Sequence, residues 1–249
     1  MKALAVIGYH RTGKTTLVTT LISELVKRGH TVVSFKDIHS EAYRADTEGK
    51  NTNLHLQAGS QAVFAKGLYD SALVFPKSLE LKEVIPLLKA DYLIIEGLKT
   101  APVPKLVCAE STEQLDELLD DTCFGISGLI SDKLSVYGKL PVFCLQKSLN
   151  NLMDYVLSHA FEILPISDPE CCSACGKSCY QMAEDIVQGR AQRSDCILDA
   201  APELQLKVGG QEVVIVPFVQ KLLKDTLTAF VDNLKGVDKD SEIELRIKR

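Results

Sequence analysis

The stretch GYHRTGKT (8–15) sets four residues between Gly8 and Gly13 and follows the second glycine at once with Lys14 and Thr15. This is the spacing of a phosphate-binding loop. Glycines let the backbone curl so that successive N–H groups face phosphate oxygens, and the helix that follows adds its positive N-terminal end. Lys14 would span the β- and γ-phosphates, and Thr15 would give its hydroxyl to Mg²⁺. Arg11, Thr12 and Thr16, in the loop and just beyond it, belong to the same phosphate-binding set. A carboxylate that shares the Mg²⁺ is expected at the C-terminal end of a neighbouring parallel strand, and DYLIIEG (91–97) supplies Glu96 there. Asp91 opens the same strand and belongs at the opposite edge of the sheet.

A second constellation lies far along the chain. CCSACGKSC (171–179) gathers four thiols, and Cys196 follows a helical stretch later. Cys172, Cys175, Cys179 and Cys196 suit a [4Fe–4S] cluster, with Zn²⁺ as the alternative. Structural zinc sites more often use two separated C-x-x-C pairs, whereas three close cysteines and one distant one suit the corners of a cube. Cys171 could stand in for Cys172. Cys108, Cys123 and Cys144 occur singly in apolar or helical surroundings and are expected to be buried, inert thiols.

The elements that would carry these groups follow from pattern. Ala3 to Ile7 is a short apolar run, and Thr15 to Arg28 is amphipathic and closes at Gly29. Further strand-like runs occur at 31–35, 71–75, 91–96, 105–108, 125–130 and 140–145, with helical patterns at 79–89, 113–119 and 149–161. This alternation predicts an α/β fold of the P-loop NTPase type, a mostly parallel sheet flanked by helices, over residues 1–163. The polar span 37–52 is expected to be a loop bordering the site. LPISDPE (164–170), with two prolines, is the linker candidate. Residues 171–249 would then form a small cysteine-rich α+β domain. It would comprise a helix over 180–188, a hairpin around Gly209 and Gly210, a helix from Pro217 and a final strand at 241–247.

Composition narrows the function. The chain has 249 residues, a formal charge of −5 and 46% hydrophobic residues. It carries no basic run interleaved with aromatics, so nucleic acid is not an expected partner. The opening apolar run is too short for a signal peptide, and no apolar stretch approaches the roughly 20 residues that cross a bilayer. A cytoplasmic protein is expected, where disulfides are disfavoured.

Taken together, GYHRTGKT, FKDIH (35–39), Asp46, GKNT (49–52), His55, AG (58–59), IIEGLK (94–99) and ISD (130–132) resemble the molybdopterin-guanine dinucleotide biosynthesis protein B family, MobB, over roughly residues 1–160. The resemblance implies a homodimeric GTP-binding adapter with weak GTPase activity. Such an adapter would serve a molybdenum cofactor guanylyltransferase that joins GMP to molybdopterin. It adds Asp132 to the nucleotide-site residues Lys14, Thr15 and Glu96, as a carboxylate that could accept from guanine. Two positions depart from the family pattern, Asp37 where a histidine is usual and Asn51 where an acidic residue is usual. His39 and His55 read as structural or solvated, and the guanine-reading N-K-x-D motif is absent. Two other readings stand beside the adapter: an ATP-dependent small-molecule kinase, and a nucleotide-switched metallocluster carrier.

Overall fold

The structure is a computed structural model. It describes residues 1–166 and 175–196 throughout, and beyond them 204, 206–209, 211–213, 217–234, 236, 243–245 and 247. Cys171, Cys172 and the stretch 167–174 lie outside the described residues.

The chain begins with strand β1 (Lys2–Gly8), whose central five residues are all buried. It continues through α1 (Lys14–Lys27), β2 (Val32–Lys36), α2 (Asn51–Gln57), β3 (Val63–Lys66), β4 (Ser71–Val74) and α3 (Leu81–Val84). Next come β5 (Tyr92–Glu96), β6 (Lys105–Cys108), α4 (Thr112–Leu118), β7 (Cys123–Ser127), β8 (Val136–Tyr137) and β9 (Leu140–Pro141). Then follow α5 (Leu145–His159), β10 (Phe161–Glu162), α6 (Cys179–Val187), β11 (Leu206–Val208), β12 (Gln211–Val213) and α7 (Pro217–Asp232).

The main sheet has the order β2-β5-β1-β6-β7, all parallel, with β10 antiparallel to the start of β1. Parallel strands must be covered on both faces, and alternation along β1 shows how. Ala3, Ala5 and Ile7 face a core completed by Leu115 and Leu118 of α4. Leu4 and Val6 face the other, where Leu17, Leu21 and Leu25 of α1 meet Leu152, Met153 and Val156 of α5. The predicted α/β sheet is therefore present, with both faces filled.

Several expected strands land elsewhere. The run at 71–75 forms β4, which among the described residues pairs with β3 alone, in a separate hairpin. The run at 140–145 contributes just Leu140–Pro141 to a two-stranded ribbon, and Val142 bridges to Ile126. Residues 243–245, inside the expected last strand, have no regular secondary structure. Helix α5 is broken at Ser148 (φ −133°), so its regular part starts at Leu149 as the pattern predicts. The hairpin β11–β12 and the helix from Pro217 also match expectation. Among the described residues no helix is long and apolar enough to cross a membrane.

Candidate functional site

Because β1 is central and its neighbours β5 and β6 are parallel to it, the loop 9–13 emerges at the C-terminal edge of the sheet beside the ends of both. The glycine at position 8 is a steric necessity. A Cβ there would lie 2.2 Å from the carbonyl oxygen of Cys108 on β6. Thr12 is buried and its hydroxyl donates to the Tyr9 carbonyl at 2.9 Å, which fixes the curl of the loop. Gly13 (φ 97°) caps α1 with no side-chain acceptor on the first amides. The N–H groups of Lys14, Thr15 and Thr16 begin the helix without carbonyl partners inside it, which is the arrangement an anion can satisfy. Lys14 Nζ donates to the Tyr9 carbonyl across the loop. Arg11 is exposed at φ 63° on the loop's crest.

Glu96, only 8% exposed, ends β5 beside Val6 of β1. Its Oε1 accepts from Thr15 Oγ1 at 2.8 Å and pairs with Lys36 Nζ at 3.0 Å. The structure thus brings together the two residues assigned to Mg²⁺ from sequence alone. A hard cation held near 2.1 Å by oxygen fits a hydroxyl and a carboxylate so placed, with water completing the shell. The place of Lys36 is not legible in the sequence. It sits opposite Glu96 in the β2–β5 register, and only the strand order reveals this. Asp91 lies at the other end of β5, where it accepts from the backbone and hydroxyl of Thr31, both at 2.8 Å. That contact holds its carboxyl below the usual range and gives it a structural role.

The loop after β7 closes the other side. A Cβ on Gly128 (φ 89°) would come within 2.5 Å of the Thr12 carbonyl, so this turn presses directly on the phosphate loop. Asp132 follows on a 3₁₀ turn (Leu129–Asp132) and stands at that same edge. In the span 37–52, Asp37 Oδ2 pairs with His39 Nε2 at 2.9 Å, and the Asp37 amide donates to the Glu96 carbonyl at 2.9 Å. Asp46 Oδ1 accepts from Thr52 Oγ1 at 2.9 Å, whereas its Oδ2 is buried with no hydrogen-bond partner among the described residues. His55 is exposed on α2. One further contact has no signal in the sequence: Tyr9 donates its hydroxyl to Glu117 on α4, with Lys99 Nζ 5.0 Å from the centre of its ring.

Cys108 and Cys123 are buried, and burial pushes both thiols up to about 12. Cys144 is also buried, and none of the three is placed to react. Cys175, Cys179 and Cys196 share one cluster with Leu164, Met182 and Ala183. These three expected ligands thus pack against one hydrophobic cluster, and the fourth, Cys172, lies outside the described residues. Among the described residues no three His, Cys, Asp or Glu side chains are arranged as a metal-holding group. The described residues therefore show no fit to a cluster or to zinc, and no chemistry is routed through one. Leu164, where the linker was expected to begin, is buried in this cluster.

A parallel sheet with the phosphate loop after its central strand and a Thr–Glu pair at the same edge defines a P-loop NTPase-type α/β protein. Comparison with known proteins narrows the class. Residues 3–132, more than half of the chain, match the family model "Molybdopterin guanine dinucleotide synthesis protein B", MobB, and the chain belongs to that family. It is 27% identical over 256 residues to the putative molybdopterin-guanine dinucleotide biosynthesis adapter protein of Methanocaldococcus jannaschii, covering 99% of this chain and 97% of the relative. It is 29% identical over 157 residues to the probable adapter protein of the same name in Bacillus subtilis, covering 61% of this chain and 90% of the relative. The crystal structure of Bacillus subtilis MobB superposes with a TM-score of 0.54 at 26% identity, over 65% of this chain and 99% of that one.

Proposed function

We propose that the chain is a GTP-binding adapter in molybdenum cofactor biosynthesis, serving a guanylyltransferase that joins GMP to molybdopterin. The observation that carries this reading is the Thr15–Glu96 contact at the mouth of the Gly8–Thr15 loop, 2.8 Å long and backed by Lys36. The relatives' names support the pathway and the adapter role. Lys14 and the first amides of α1 would bind the triphosphate, Thr15 and Glu96 would hold Mg²⁺, and Asp132 would accept the guanine N1–H and 2-amino protons. Arg11, Thr12 and Thr16 would line the phosphates. Hydrolysis should be slow, because among the described residues we find none at this edge placed to orient an attacking water, and Arg11 belongs to an exposed loop.

The protein would act as a homodimer. Support comes from the β3–β4 hairpin, a two-stranded unit outside the main sheet and marginal by itself. Its outward cross-strand pair, Phe64 and Leu73, and its tip, Leu68 (95% exposed) and Tyr69 (100%), offer an apolar face that a second copy could cover isologously.

The C-terminal segment would carry a [4Fe–4S] cluster on Cys172, Cys175, Cys179 and Cys196, with Zn²⁺ as the alternative. The spacing of these cysteines in the sequence is what supports it. The archaeal relative matches along 99% of the chain and so has a region of comparable length, while the Bacillus match covers 61%. Such a cluster would contribute folding energy to a small segment.

The test is calorimetric titration of the protein with GTP and ATP in Mg²⁺, followed by a reconstituted guanylyltransferase assay with and without the protein. Tighter GTP binding, slow turnover and a raised yield of guanylylated molybdopterin are expected. ATP preference with rapid phosphoryl transfer to a small acceptor would replace the adapter with a kinase.

A further inference from the structure

Lys105 is a lysine with no exposed surface, 0%, at the start of strand β6, between β1 and β7. A buried ammonium is costly unless its protons are satisfied. Its partners belong to neither the phosphate loop nor the Mg²⁺ pair. Lys105 Nζ donates to Tyr180 Oη at 2.5 Å, stands 4.2 Å from the centre of the Tyr180 ring and 3.6 Å from Asp120 Oδ2. Tyr180 in turn donates its hydroxyl to Asp120 Oδ2 at 2.5 Å. Asp120 Oδ1 is occupied by the Thr122 amide at 2.9 Å and by the Thr122 hydroxyl. The relay from ammonium to phenol to carboxylate is complete only when Tyr180 is in place.

Tyr180 follows Cys179 in α6, the helix that carries the cysteine segment. Around it lie other contacts between the two parts of the chain. Arg193 donates to the Ile163 carbonyl at 2.9 Å in a half-buried bond, whereas two contacts are exposed: Gln188 Nε2 donates to the Asp121 carbonyl at 2.9 Å and Arg190 pairs with Asp121 at 2.9 Å. Exposed contacts of this kind contribute little to docking. The buried lysine is different, since undocking α6 would strip it of the Tyr180 hydroxyl and of the ring that covers it, leaving the Asp120 carboxylate at 3.6 Å.

We propose that Lys105 is a positioning residue for the cysteine segment. By holding Tyr180 it seats α6 on the sheet of the nucleotide domain, so that Cys175, Cys179 and Cys196 are gathered by the fold and not by a free tether. The proposal rests on the four-cysteine reading only for what those thiols bind; the docking itself is independent of it.

The experiment is amide hydrogen exchange on the full chain, in parent, Lys105→Met, Tyr180→Phe and the double variant, with GTP titration of each. Lys105→Met removes the ammonium at nearly constant volume, and Tyr180→Phe removes only the hydroxyl. The amides of α6 should exchange at least about tenfold faster in Lys105→Met and severalfold faster in Tyr180→Phe. The double variant should be no faster than Lys105→Met, because both changes break one relay. Amides of β1 and β5 and the GTP affinity should stay as in the parent. Unchanged α6 exchange in both single variants overturns the proposal. So does equal loosening of α6 and the sheet in Tyr180→Phe, which would mark a general structural role. If Lys105→Met does not fold, Tyr180→Phe decides alone. A colourless, metal-free protein would count against the four-cysteine reading and leave the exchange result standing.

Discussion

Thr15 Oγ1 donates to Glu96 Oε1 across 2.8 Å, joining the first turn of α1 to the end of β5 although 81 positions separate them. The same carboxylate oxygen also holds Lys36, so Glu96 is the junction of three elements: α1, β2 and β5. Glu96→Gln keeps an acceptor for the threonine and removes the charge a divalent cation needs. GTP affinity in Mg²⁺ should fall by about tenfold or more, while affinity in chelator should change little, as read by titration in both buffers. Equal affinities for parent and variant in Mg²⁺ would remove Glu96 from the metal site.

Lys14→Ala deletes one charge from the first position of α1 at the sheet edge and no core volume. Hydrogen bonds to charged groups contribute about 1.5–3 kcal/mol each, so triphosphate binding should weaken by roughly 10- to 100-fold or more. Far-ultraviolet circular dichroism should remain that of the parent. Binding within a few-fold of the parent would end the phosphate-loop assignment.

Two glycines with nearly the same φ differ in what a side chain would meet, and Gly128, with ψ −161°, also lies in a region essentially closed to other residues. A Cβ added at Gly29 (φ 87°) would meet open space, whereas one added at Gly128 (φ 89°) would meet the Thr12 carbonyl at 2.5 Å. Gly29→Ala should lower stability by about 1 kcal/mol, the cost of the left-handed conformation alone. Gly128→Ala should cost more and should also weaken GTP binding, because relief of the clash must move the phosphate loop. Thermal melts paired with titrations decide this, and an unchanged affinity in Gly128→Ala would show that the loop tolerates the push.

How much of this can be read from the residues depends on how local the cause is. The phosphate loop is a contiguous motif, and Glu96 follows from the end of an apolar run, so both are legible. Lys36, inside the FKDIH stretch, acquires its role only because β2 lies beside β5, which no local pattern states. The run at 71–75 has strand periodicity, but periodicity does not say which strand will pair with it, and β3 takes it out of the sheet. Lys105 reads as the polar start of a strand. Its burial depends on a tyrosine 75 positions away, which meets it only once α6 has docked.

Burial of two thiols gives the protein an alkaline weakness. Cys108 and Cys123 are pushed from the ordinary 9.0 to about 12, chiefly by desolvation. Their raised values contribute stability that is whole below about 9 and is lost as the pH climbs toward 12, since there the unfolded chain releases protons that the folded one keeps. The melting temperature in reducing buffer should therefore fall between about pH 9 and 11, and the fall should be shallower in Cys108→Ala. That variant starts from a lower value because it also opens a small cavity, so the slope is the quantity to compare. Parallel slopes would show that Cys108 does not carry the effect.

The hairpin face supplies the last test. Phe64 (67% exposed) and Leu73 stand side by side on the outward surface of β3–β4, while Val63 on the opposite side is buried. An aspartate at position 64 would therefore leave the hairpin's own packing intact and place a charge at the centre of any surface laid over it. If two copies meet through this face, Phe64→Asp must desolvate two carboxylates related by the twofold axis, and burying unpaired charge is prohibitive. Sedimentation should then show a dimer for the parent and a monomer for the variant at micromolar concentration, with the monomer's melting temperature near or below the parent's. GTP binding by the monomer would place the nucleotide site within one copy, whereas its loss would mean that the site is completed across the interface. A variant that remains dimeric would move the interface off the hairpin.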